Sequence, residues 1–157
     1  MLAKGFLVWG KCSQYVYTQG QTLPVRFRDI RRLTPADLDY VSGHYRQEGK
    51  KYLDERILAG VMYGAFEDGR QIGFIGTHKE GAMGMLYVEE EYRRKGVGRA
   101  LLSYNINRLL EQGRTPYGHV MEGNSASERL LEGLGLYKAG QPVWWMQKKL
   151  AIIDGVW

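Results

Sequence analysis

"LYVEEEYRRKGVGRALL", residues 86–102, decides the fold. An apolar run ends at Val88. Three acids follow, Glu89 to Glu91, then the cations Arg93, Arg94 and Lys95, and Gly96-Val97-Gly98 leads into a helical pattern. Leu101, Leu102, Ile106, Leu109 and Leu110 recur with helical spacing up to Gly113, which predicts a helix from Val97 that stops there. A helix start leaves backbone N–H groups unpaired, and the macrodipole adds partial positive charge to them. Glycine lets the main chain take unusual angles and approach a ligand closely. Strand, basic glycine turn and helix together make a pyrophosphate site; a solvated charged turn is the competing reading of these residues alone. A dinucleotide fingerprint is excluded, because Leu101 stands where its third glycine belongs. A Walker-type phosphate loop is excluded too, since Gly-Lys-Ser/Thr occurs nowhere.

The 157 residues suffice for one hydrophobic core, and 44% hydrophobic with 25% charged residues is ordinary for a globular chain. Cys12 stands alone, so no internal disulfide framework exists, and a cytoplasmic location is expected. The longest early apolar run, Phe6 to Trp9, is too short for a signal peptide, and no run approaches a membrane span. The formal charge of +5 favours an anionic partner. Because the cations are interleaved with acids, a sequestered phosphate ligand suits this charge better than a nucleic-acid face.

Outward from the opening stretch, "VMYGAF" and "QIGFIGTH" read as strands joined by a turn at Asp68-Gly69, and "AMGMLYV" as a third. Upstream, "FLVW" and "YVYT" around "GKCSQ" predict an N-terminal hairpin, and "LPVRFRDI" a further strand. Two helices follow, one opened by Thr34 and Pro35 and one, "KKYLDERILAG", closed by Gly60. Downstream come a short strand "YGHVM", a helix with Ser125 and Glu128 in capping-box spacing, and a last strand "PVWWMQK". The order predicts a mixed α/β sheet with helices on its faces.

On these residues the chain resembles the GCN5-related N-acetyltransferase (GNAT) superfamily. Arg93, Gly96 and Gly98 match its Arg/Gln-x-x-Gly-x-Gly/Ala signature, and "VMEGNSASERLLEGLGL" is similar to its next strand, asparagine and helix. "GAMGMLYVEEEYR", "PYGHVMEGN" and "PVWW" resemble the glycine N-acyltransferase-like (FR47-like) branch. The resemblance implies a mixed, mostly antiparallel sheet (an α+β variant of the α/β class), with the cofactor at the splay between the fourth and fifth core strands. It places the domain at residues 25–149, with 1–24 as a hairpin or extension and 150–157 as a tail. It implies that acetyl-CoA or another acyl-CoA is the co-substrate, without a metal. Pyrophosphate would lie on Arg93, Arg94, Lys95, Gly96, Val97, Gly98 and Arg99, and the pantetheine arm along Met85, Leu86, Tyr87 and Val88, with Asn124 and Ser127 further on. The activity implied is N-acyl transfer, acetyl first, to a small amine or amino acid in a ternary complex, with no nucleic acid or membrane as partner and a homodimer left open. A non-catalytic acyl-CoA sensor is the alternative, and a protein acetyltransferase ranks behind it.

Acyl transfer needs a group that takes a proton from the amine and something that supplies or stabilises charge at the leaving thiolate. The superfamily's usual acid, a Tyr seven positions after the asparagine, is Leu131 here. Tyr137 lies six residues beyond and does not simply substitute. The branch's Glu before the first strand methionine is Ala82, which leaves Glu80 as the nearest carboxylate. Glu80 shares a strand face with that position, and His78 alternates onto the same side, although a solvated turn is the plainer reading of both. His119 matches a His of the branch and titrates near neutrality; a satisfied core histidine is its alternative. A cap for the helix that follows is the lesser reading of Asn124. Trp144 and Trp145 should point to opposite faces, one into the core and one onto the acceptor pocket. Met83 and Met85 are expected in the core.

Overall fold

Asp68 and Gly69 both take positive φ (49° and 77°), and the chain reverses there as the dipeptide predicts. The strands on either side, β3 (Met62–Glu67) and β4 (Arg70–Thr77), pair antiparallel. They belong to a computed structural model that describes residues 6–148. The remaining elements are β1 (Phe6–Val16), β2 (Ile30–Arg32), α1 (Leu38–His44), α2 (Lys50–Leu58), β5 (Met83–Val88), α3 (Val97–Glu111), β6 (Tyr117–Met121), α4 (Ser125–Gly133) and β7 (Tyr137–Lys148). Seven strands form one sheet in the order β2-β3-β4-β5-β6-β1-β7, antiparallel everywhere except between β5 and β6.

Strand alternation divides the core between two faces. Ile75, Met83 and Val120 point to one face, where Val97, Leu101, Ile106 and Leu109 of α3 and Leu131 of α4 cover them. Met62, Phe74 and Met85 point to the other, beneath Val41 of α1 and Leu53 and Ile57 of α2. On the α3 face the Asn105 amide donates to the Gly76 carbonyl and meets Thr77, which ties the helix to β4 through buried polar groups.

Three local expectations are corrected. Residues 6–16 form one continuous strand, not a hairpin, and that strand lies between β6 and β7. Gly10 makes no turn: it sits at a register shift, and Met121 occupies the space a Cβ would need, 2.7 Å away. "LPVRFRDI" is not a strand before Ile30, because the Leu23 N–H and C=O are taken by the Asn107 side chain at 2.7 and 2.8 Å. Asn124, not Ser125, caps α4, its Oδ1 accepting from the Ser127 N–H at 3.2 Å. The tail 150–157 and residues 1–5 lie outside the described residues. Thr34 does open a helical segment: a single 3₁₀ turn, Pro35–Asp37, whose Asp37 carboxylate accepts from the Thr34 N–H at 2.7 Å, precedes α1.

β5 carries a bulge. Gly76 pairs with Gly84 and Phe74 with Tyr87, so three steps on β5 oppose two on β4, and Met85 within it has φ 53°. The crowded backbone is accommodated by missing side chains. A Cβ on Gly73 would stand 2.7 Å from the Tyr87 carbonyl oxygen, which no rotamer change can move. Gly73→Ala should therefore destabilise the fold by about 1–3 kcal/mol, read as a lowered midpoint in chemical denaturation.

Candidate active site

Beyond Met83↔Gly118, the one register pair that joins β5 to β6, the two strands diverge. From Gly84 onward the edge of β5 that faces β6 has no strand partner among the described residues. A cavity of about 700 Å³ opens at this divergence on the α1–α2 face. A smaller one of about 90 Å³ lies against Leu102, Leu130 and Leu131 on the α3–α4 face. Both are lined by Met83, Gly84, Leu86, His119, Val120 and Ser127, so the space passes through the sheet.

β6 alternates with Gly118 and Val120 buried and His119 half-buried, which turns His119 onto the α1–α2 face. Its imidazole packs edge-on against Trp145 (6.4 Å) and Tyr117 (5.8 Å). Burial holds its pKa below the ordinary histidine range; His78 adds to the lowering, and the Glu80 charge partly opposes it. Glu80 is exposed in the β4–β5 turn, where its carbonyl accepts from the Tyr117 hydroxyl at 2.7 Å. The two candidate proton acceptors thus share one cavity wall. Leu131, at the position of the superfamily's tyrosine, is buried in the core. Tyr137 is 52% exposed and does not line the cavity.

Met85, Leu86 and Tyr87 line the larger cavity, with Asn124 and Ser127; Met83 and Met85 are buried, as expected of core residues. Val88 lies just past the cavity, its carbonyl accepting from Arg93 Nε at 2.8 Å. There the basic turn begins. Arg94 (φ 60°) and Gly96 (φ 84°) both take left-handed backbone, and Gly96 is the N-cap of α3. Gly98 has ordinary space around it, so the fold alone does not require glycine there. The Arg99 side chain turns away and donates to the Gly133 carbonyl at 3.0 Å, which leaves its backbone N–H as its contribution to the helix start.

Trp145 walls the cavity as expected, but Trp144 is 52% exposed beneath Lys11 rather than in the core. Cys12 is buried with its thiol against Met121, and burial raises its pKa. The α1–α2 side of the cavity went unread in the sequence. The His44 ring packs at a tilt against Tyr87, 4.9 Å between centroids, and the Tyr52 hydroxyl lies 3.0 Å from Nδ1 of His78. The alternation that placed His78 beside Glu80 was the one available signal; nothing marks Tyr52 of α2, or Glu48 in the bend between α1 and α2, apart from ordinary surface residues.

A family model described as FR47-like protein matches residues 60–145, more than half of the chain. No curated protein matches. Among solved structures, a Drosophila melanogaster protein is 22% identical with TM-score 0.77, over 92% of this chain and 52% of that one. A GCN5-related N-acetyltransferase from Sphaerobacter thermophilus is 18% identical with TM-score 0.69, over 92% of this chain and 53% of its own. AAC(6')-Iy, solved with the bisubstrate analogue CoA-S-monomethyl-acetylneamine, is 16% identical with TM-score 0.63, over 78% of this chain and 98% of its own. At these identities the likeness is one of fold, and the chain spans about half the length of the first two.

The electrostatics of the wall are testable in the ligand-free protein. By NMR, His119 should titrate below the ordinary histidine range, and Glu80→Gln should lower it further, because the carboxylate favours the imidazolium. The unfolded chain binds that proton more readily, so His119 should contribute less stability as pH falls through the ordinary histidine range.

Proposed function

Because the chain belongs to the FR47-like branch of the GNAT superfamily, we propose that it is an acyl-CoA-dependent N-acyltransferase. Acetyl from acetyl-CoA is the first choice of acyl group, and the primary amine of a small molecule or amino acid is the acceptor. The observation that carries this reading is the passage through the sheet. It opens beside His119 and Glu80 along the unpaired edge of β5, and that strand ends at Val88, whose carbonyl accepts from Arg93 of the basic turn before α3. The features suit acyl-CoA: backbone N–H groups at the α3 start for pyrophosphate, an unpaired strand edge for the amides of the pantetheine arm, and a titratable wall at the far end.

An amine attacks only when neutral, and it must lose a proton as the amide forms. His119 is the proposed acceptor of that proton, since burial favours its neutral form. Glu80, in the same wall, is the second candidate. At the other end, Arg93, Arg94 and Lys95 surround the α3 start and supply charge, while the backbone of Gly96 to Arg99 supplies directed donors. Acyl transfer would be direct, within a ternary complex. A cytoplasmic setting fits the lone, buried Cys12. A non-catalytic acyl-CoA sensor is the second reading, favoured by the burial of Leu131 where the superfamily places its acid.

Calorimetric titration with coenzyme A, paired with a mass-spectrometric assay over amino acids and polyamines, tests both. Binding with turnover supports the enzyme, binding without turnover on any acceptor supports the sensor, and absence of binding sinks both. His119→Ala should lower kcat by about 10²–10⁴-fold with coenzyme A affinity kept, and Glu80→Gln should act in the same direction. Normal turnover in both variants would remove them from the chemistry.

A further inference from the structure

His78 reaches the same cavity from the end of β4. It follows Phe74 and Gly76 in alternation, so its ring lies on the α1–α2 face, like that of His119. What holds it is specific. A Cβ on Gly84 would stand 2.5 Å from Nε2 of His78, so the imidazole rests on the bare backbone of Gly84, one residue past the last β5–β6 pair. Behind the ring, Nδ1 is 3.0 Å from the Tyr52 hydroxyl, and the two rings stack at 5.9 Å. The Tyr52 oxygen also accepts the Lys79 N–H at 3.2 Å, and a Glu48 carboxylate oxygen lies 4.0 Å from Nδ1. Lys79 is paired with Glu55, while Glu80, His119, His44, Tyr45, Arg46 and Tyr87 are the other titratable or charged groups lining the cavity. In the doubly protonated ring, Nδ1–H donates to Tyr52 with Glu48 beside it. Nε2–H is then the donor that faces the divergence of the strands.

The passage gives this placement its meaning. Where it crosses the sheet at Gly84, Leu131 lines the α4 side, which offers no hydroxyl to a departing thiolate. His78 lines the opposite side of the same glycine. We propose that His78, positioned by Tyr52, donates a proton to the departing thiolate in the acyl transfer proposed above, in place of the tyrosine that Leu131 replaces. In balance, the amine nitrogen forms a bond to the acyl carbon and its proton passes to His119. The carbon–sulfur bond breaks, and the sulfur takes its proton from Nε2 of His78. Solvent then returns both rings to their starting states. Tyr52 is a positioning residue in this scheme.

The inference rests on the acyltransferase reading, and the test separates the two. With acetyl-CoA and an acceptor that turns over, the wild type should give a bell-shaped pH profile of kcat. His78→Ala should lower kcat about 10²-fold or more, keep the KM for acetyl-CoA, and lose the alkaline limb, while His119→Ala loses the acid limb. Added imidazole should restore part of the His78→Ala rate, an effect a purely structural histidine would not show. In the ligand-free protein, Tyr52→Phe should shift the ¹⁵N resonance of His78 Nδ1 while circular dichroism stays unchanged. Its kcat should fall with KM kept. His78→Asn serves if the alanine variant fails to fold. Wild-type turnover with His78 variants equally active, or with their acid limb lost instead, overturns this assignment alone. So does an Nδ1 resonance indifferent to Tyr52→Phe. A wild type that binds coenzyme A but acylates nothing overturns the acyltransferase reading, and this assignment with it.

Discussion

One register pair, Met83 with Gly118, joins β5 to β6, and the site depends on the parting of the strands beyond it. Backbone N–H and C=O groups away from water need partners, and a strand edge left open inside a fold is costly unless something else pairs with it. Here the open edge lines a passage, so water or an extended polar ligand can satisfy it. The strain is local. Met85 holds a left-handed φ inside a buried bulge, at a cost of the order of 1–3 kcal/mol, and the packing of Phe74, Met62 and the α1–α2 helices keeps it there. Gly73, Gly76 and Gly84 are the complement of that bulge, since a Cβ on any of them would meet backbone or a neighbouring side chain.

The two ends of the passage use charge differently. At the α3 start, Arg93, Arg94 and Lys95 are exposed, and exposed ion pairs contribute only about 0–1 kcal/mol each, so directed backbone donors must set the geometry there. At the other end the His119 imidazole is half-buried, and burial lowers its pKa. In the proposed function the first end holds the co-substrate and the second moves protons, with a strand edge of five residues, Gly84 to Val88, between them.

The sequence was most readable where chemistry and periodicity coincide. The turn and helix from Arg93 to Gly113 carry both, and the β3–β4 turn is written in Asp68-Gly69. It misled where a residue type has two uses. Gly10 suggested a turn, yet it is a place where Met121 packs against a strand. The apolar alternation of "LPVRFRDI" looked like pairing, but its backbone is bound by a side chain from α3. His78 illustrates a deeper limit. Alternation gave its face, whereas its partners Tyr52 and Glu48 come from a segment whose approach depends on how the α1–α2 pair packs on Phe74 and Met85. No local pattern encodes that.

The placement of β1 has a consequence for the order in which the fold can be completed. Cys12 and Met121 touch across 109 residues of chain, and β1 also forms the seam with β7. The β3–β4 and β4–β5 pairs close over short turns, but β6 gains its antiparallel partner only when one of the earliest segments meets one of the latest. Loop closure of that span is among the costliest in the sheet, although the cost grows only logarithmically with length. Contacts of high sequence separation also slow folding. The wall that carries His119 is therefore expected to be among the last parts of the molecule to take shape. Partly folded chains would already have the helix start at Gly96 while still lacking the far end of the passage.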